Sequence, residues 1–100
     1  AGRPPRPWLG LYASEDNRRI VVGGLASGGP AERAGMKQGD QIVAVAGRNV
    51  ATLADLYRGV WNLGPSGTDI PVAVLRGGNT LQLTIKSADR GDFLKKPSLQ

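Results

Sequence analysis

SGGPAERAGMKQGDQIVAVAG, residues 27–47, is the stretch that decides the fold. Pro30 suits the first position of a helix, where its missing N–H leaves nothing unbonded, and Gly35 stops that helix after one or two turns. Gly39-Asp40 makes a turn, with Asp40 as an ordinary turn residue. Gln41 to Val45 follows as a strand, Ala46-Gly47 as a second turn, and Arg48 to Val50 as a short strand. The glycines of GGLASGGPAERAG (23–35) invite a phosphate-loop reading. The segment lacks the Gly-Lys-Ser/Thr ending, and it lacks the Gly-x-Gly-x-x-Gly spacing onto a long helix. A turn leading into a short helix is the better reading.

Working outward, Thr52 to Leu63 reads as a full helix. Thr52 is an acceptable N-cap, and Asp55 stands three positions on, where a reciprocal cap needs a side-chain acceptor. Leu53, Leu56, Tyr57, Val60 and Leu63 follow the spacing of one helical face, and Gly64-Pro65 ends the helix. Ile70, Val72 and Val74 alternate, as do Leu81, Leu83 and Ile85, and Gly77-Gly78-Asn79 joins the two runs as a hairpin. Pro71 points to an edge strand or a strand start. Upstream, RRIVVGGL (18–25) is a strand, SEDN (14–17) a turn, and residues 8–13 a first strand. Residues 1–7, with three prolines and two arginines, read as a linker from a missing upstream domain, and the chain as a piece of a longer one. Residues 88–100 read as a tail in which Phe93-Leu94 docks locally. The expected fold is α+β: a partly open barrel of five to six short strands capped by two helices.

Composition narrows the function. One hundred residues make one domain, and 15 glycines with 7 prolines favour turns and short elements. The chain has no cysteine and no histidine, so it holds no thiol nucleophile, no thiolate metal site and no Ser-His-Asp arrangement. The carboxylates Glu32, Asp40, Asp55 and Asp69 are scattered over expected turns and helix starts, where each has a local structural use. No catalytic residue, metal site or cofactor is expected. The net charge of +5 lies largely in the terminal arginines and lysines and reads as solvated tails. It comes without an aromatic-basic stacking surface, so no nucleic-acid partner is expected. No apolar run is long enough to cross a membrane as a helix. The lack of cysteine fits an oxidising envelope compartment.

Two features call for more than packing. PWLGLY (7–12) sets Gly10 between Leu9 and Leu11. Glycine there permits a backbone conformation that presents successive N–H groups outward, a nest for an anion such as a peptide's terminal carboxylate. The plainer alternative is a bulge in an edge strand. On the helix, Leu53, Tyr57 and Val60 lie toward one side of the apolar face with Trp61 beside them. They line a groove if they do not all pack on the sheet.

These segments together, PWLGLYA, GGPAERAGMKQGDQIVAVAGRNV and TLADLYRGVWNLGPSGTDIPVAVLRGG, resemble a PDZ domain. More narrowly, they resemble the bacterial type that follows the protease domain of HtrA/Deg serine proteases. The resemblance covers residues 8–87. It implies strand addition: a ligand's C-terminal residues pair between the first strand and the long helix. The amides of Leu9, Gly10 and Leu11 would then hold the carboxylate. Leu9, Leu11, Val60 and Leu63 would receive the last side chain. Tyr12 and Ala13 would continue the backbone pairing, and Leu53 and Tyr57 would face upstream ligand side chains. Leucine at position 53, where many animal PDZ domains carry a histidine, implies an apolar preference there. Trp8 is either the rim of this site or its lid.

The implied function is capture of hydrophobic C-termini or extended segments, serving substrate recognition or regulation of an attached HtrA-like serine endopeptidase in envelope protein quality control. The partners are apolar-ended peptides or proteins and the protease domain in cis, without membrane insertion by this segment. The implied location is the periplasm or cell envelope. The alternative is an assembly domain, docked on its own protease domain or on a neighbouring subunit, with the groove occluded.

Overall fold

A computed structural model describes residues 7–91. Most of the expected linker, and the tail beyond Gly91 with Phe93-Leu94, lie outside the described residues. The decisive stretch folds much as its residue types require. Helix α1 is Pro30–Arg33, with Pro30 at its first position, and the strand that follows, β3, is Gln41–Val45. The strands before α1 are β1 (Leu11–Asp16) and β2 (Arg19–Leu25). After β3 come β4 (Arg48–Asn49), helix α2 (Leu53–Leu63), β5 (Asp69–Arg76) and β6 (Asn79–Lys86). The strands form one antiparallel sheet in the order β1-β2-β3-β5-β6, with β4 attached to β3. The sheet stays open, with β1 and β6 at its ends. An isolated bridge ties the residues that flank it: Trp8 N donates to Ala88 O at 2.9 Å, and Ala88 N donates to Trp8 O at 3.0 Å. Among the described residues, these six strands and two helices make the α+β, partly open arrangement expected of this sequence.

Several expectations are corrected, each for an identifiable reason; β1 starts at Leu11 and not at residue 8, since Gly10 takes a left-handed conformation. SEDN is not a turn. Ser14 to Asp16 continue β1, and the reversal falls on Asn17 and Arg18, with φ of 54° and 62°. Paired left-handed residues make the tight hairpin turn whose twist matches that of antiparallel strands, and Asn17 tolerates this conformation better than most residues. Pro71 sits near the start of β5, which is an interior strand and not an edge. Its missing N–H does no harm, because β3 ends at Val45 opposite Val72 and Pro71 O still accepts from Ala46 N at 2.8 Å.

The core lies between the sheet and the helices. Ile20, Val22, Ile42, Val72, Val74 and Ile85 supply it from the strands, and Leu56 and Val60 from α2. α2 is fixed at its N-terminus by a capping box. Thr52 Oγ1 accepts from Asp55 N at 3.0 Å, and Asp55 Oδ2 accepts from Thr52 N at 3.3 Å and Ala51 N at 3.2 Å. The hydrogen bond from Ala51 N, aided by those of Thr52, lowers the Asp55 pKa from its ordinary value.

Asp40 is more than a turn residue. It is buried, with only 1% of its surface exposed. Its carboxylate accepts from Lys37 N at 2.9 Å and from Arg76 Nε and Nη2 at 2.8 and 2.7 Å. Arg76 Nη2 also donates to Gly35 O at 2.9 Å. This forked pair fastens the α1–β3 turn to the end of β5. Hydrogen bonding to Arg76 holds the Asp40 carboxyl below its ordinary 3.8. The stabilisation is therefore complete above that value and is lost as pH falls through the folded-state pKa. Replacing Arg76 by Met leaves a buried carboxylate without its cation. Denaturant unfolding at pH 7 should show a clear loss of stability, smaller than that of a fully buried pair because Arg76 is partly exposed. The deficit relative to wild type should shrink as pH falls through the carboxylate range.

Candidate functional site

The first strand reaches its edge position through Leu9 and Gly10. Gly10 has φ +72°, a left-handed conformation that side chains with a Cβ resist. A Cβ at Gly10 would also lie 2.9 Å from Pro30 Cδ. The two carbonyls here are engaged on the inner side. Ala31 N donates to Leu9 O at 2.8 Å, and Ala26 N donates to Gly10 O at 2.9 Å. Among the described residues, the N–H groups of Leu9 and Gly10 have no backbone acceptor. The order of polar groups is thus carbonyls inward, amides unengaged.

Backbone groups alternate sides along a strand. With Gly10 O turned toward β2, those of Leu11 and Ala13 turn away from it, toward the open edge. Those of Tyr12 turn back to β2, where Tyr12 pairs with Gly24 beside a bulge. Tyr12 therefore brings its side chain, 62% exposed, and not the outward backbone pairing expected of it. Leu11 is buried, and the half-buried Ala13 packs against the core.

Across the edge lies α2. A cavity of about 320 Å³ separates the two, walled by Pro7, Trp8, Leu9, Gly10 and Leu11 on one side and by Tyr57, Val60 and Trp61 on the other, with Arg90 completing it. Tyr57 and Trp61 stack, with centroids 5.9 Å apart and planes 24° from parallel, and stand 36% and 43% exposed. Trp8 lines this cavity as part of its wall. Leu53 does not line the cavity. It packs against the core, and its N–H donates to Glu15 Oε1 at 2.9 Å, a bond that ties β1 to the start of α2. The bond also sets a carboxylate at the positive end of the helix.

Leu63 falls elsewhere. With about 100° of rotation per residue, Tyr57 and Trp61 lie on one side of Val60 and Leu63 on the other. Leu63 is 38% exposed and borders a separate cavity with Val45 and Gly59. Another cavity, about 580 Å³, lies between α1 and β6 and holds none of the residues expected to bind a ligand. Arg90 was missed because it stands beyond the last patterned strand. The Trp8–Ala88 bridge that carries it to the cavity has no sequence signal.

The cavity is apolar along α2, edged by unengaged amides and bounded by a strand with free outward pairing capacity. Such an arrangement has the polar and apolar groups that an extended chain ending in an apolar residue and an anion would need. Among the described residues, no three acidic, histidine or cysteine side chains gather to hold a metal ion. Substituting Gly10 by Ala should cost about 1–3 kcal/mol in denaturant unfolding, because a left-handed alanine is strained and α1 must give way. Amide shifts at Leu9 and Ala31 should accompany the loss.

The PDZ domain family profile matches residues 7–87. Serine protease Do-like HtrA of Bacillus subtilis (strain 168) is 33% identical over 78 residues, which cover 78% of this chain and 17% of that protein. A probable periplasmic serine endoprotease DegP-like of Halomonas elongata is 29% identical over 106 residues, covering 94% of this chain and 22% of its own. This chain thus spans about a fifth of the length of the curated relatives it matches. Among solved structures, the HtrA3 PDZ domain bound to a phage-derived ligand (FGRWV) superposes with a TM-score of 0.69 at 25% identity, covering 82% of this chain and 85% of that one.

Proposed function

The chain belongs to the PDZ domain family, and from that premise we propose that it captures peptide C-termini by strand addition along β1. The observation that carries this reading is the open apolar cavity between an unpaired strand edge and α2, with the Leu9 and Gly10 amides at its end. The ligand's carboxylate sits on the amides of Leu9, Gly10 and Leu11. Its last side chain enters between Leu9, Leu11 and Val60. Its backbone pairs with Leu11 and Ala13. Upstream side chains run past Tyr57 and Leu53, where an apolar residue is preferred.

The relatives' names extend the proposal to the parent protein. The domain serves an HtrA-like serine endopeptidase on the same chain, in the periplasm or envelope, by delivering substrate or relaying a regulatory signal. Exposed C-termini of damaged proteins are the natural ligands of such a quality-control role. A short flexible peptide loses much conformational entropy on docking, so the isolated domain binds at micromolar affinity or weaker.

Titrating an apolar-ended peptide into isotope-labelled domain, once as the free acid and once amidated, checks this. The free acid should bind at least several-fold more tightly and shift the amides of residues 9–13 and 53–61. Equal affinity for both forms, or shifts centred on the α1–β6 cavity, would refute it.

A further inference from the structure

The wall of the groove contains one charged residue, and it comes from beyond the last strand. Arg90 borders the same 320 Å³ cavity as Leu9, Gly10 and Val60, whose other lining residues carry no charge. Its position is built and not incidental. Two hydrogen bonds join Ala88 to Trp8, at 2.9 and 3.0 Å, so the chain leaving β6 returns to the residue that precedes Leu9. Asp89 Oδ1 then accepts from Gly91 N at 2.8 Å, which turns the backbone at Arg90. That bond engages the Asp89 carboxylate, and Asp89 itself lines the α1–β6 cavity and not this one. Arg90 is exposed and forms no ion pair among the described residues.

We infer that Arg90 is a specificity residue for the ligand's terminal carboxylate, adding charge attraction to the dipoles of the Leu9 and Gly10 amides. This deepens the strand-addition reading and rests on it. Neutral N–H groups can donate to either a carboxylate or a terminal amide's carbonyl, and so tolerate both. A guanidinium at the cavity wall favours the anion alone, and its planar fork matches a carboxylate's two oxygens. The flank after β6 is then part of the binding site, and the Trp8–Ala88 bridge is what attaches it.

The test compares wild type with Arg90→Gln and Arg90→Lys in the described domain with its natural flanks, using one apolar-ended peptide as free acid and as amide. Arg90→Gln should weaken free-acid binding about two- to fivefold, the range for a solvent-screened charge pair, and leave amide binding unchanged. Arg90→Lys should recover part of the loss. Raising salt should narrow the wild-type preference for the free acid and move that of Arg90→Gln much less. A full free-acid preference retained by Arg90→Gln would overturn the assignment while leaving strand addition intact. A wild type without any free-acid preference would overturn both.

Discussion

The contact of Gly10 with Pro30 is the constraint on which the site depends. The chain enters the sheet over the start of α1, close enough that a methyl group at Gly10 would collide with the proline ring. To pass there, Gly10 takes a left-handed conformation, and the carbonyls of Leu9 and Gly10 bond to Ala31 and Ala26. With these two carbonyls held inward, what Leu9 and Gly10 leave without a backbone partner among the described residues is donors. The same turn delivers Leu11 to the edge of the sheet with its side chain buried and its backbone groups facing α2. One steric requirement thus produces both the unengaged amides of Leu9 and Gly10 and the strand edge that the proposed ligand would extend.

The opposite wall has to be held at a fixed distance for this edge to be selective. The capping box at Thr52 and Asp55 fixes where α2 begins, and Glu15 links β1 to the N–H of Leu53. Leu56 and Val60 anchor the helix in the core, which leaves Tyr57 and Trp61 on its groove side. Arg76 and Asp40 secure the other face, pinning the turn after α1 to the end of β5. Because α1 supports Gly10, that buried pair acts on the site through the scaffold and not by contact. An exposed edge strand invites unwanted pairing. Here the bulge between Tyr12 and Ala13, and the charges of Glu15 and Asp16, limit that hazard without covering the groove.

Much of this was legible in the residues. Pro30, Gly35 and the alternation of Gln41 to Val45 state local preferences that tertiary packing does not oppose, so those elements fall where the pattern puts them. The capping box at Thr52 is a local motif and was readable for the same reason. Gly10 between two leucines marked the site, since glycine there is needed for its φ. The misreadings involve partners distant in sequence. Asp40 looked like a turn former because nothing near it announces Arg76. Tyr12 stands where the sequence predicts outward backbone pairing, but strand parity, readable only once Gly10 O has a partner, turns it to β2. Leu63 fitted the apolar helical spacing, but its angle about the helix axis places it on the side away from the groove. Arg90 carries no local pattern at all, and only the bridge from Ala88 to Trp8 brings it near Leu9.

The central claim is that a ligand becomes an additional strand on β1. Amide hydrogen exchange with and without saturating apolar-ended peptide tests it most directly. If the ligand pairs along the edge, exchange should slow at Leu11 and Ala13, with Tyr12, already turned to β2, changing least. Slowing at Tyr12 with none at Leu11 and Ala13, or slowing confined to residues of the α1–β6 cavity, would contradict it.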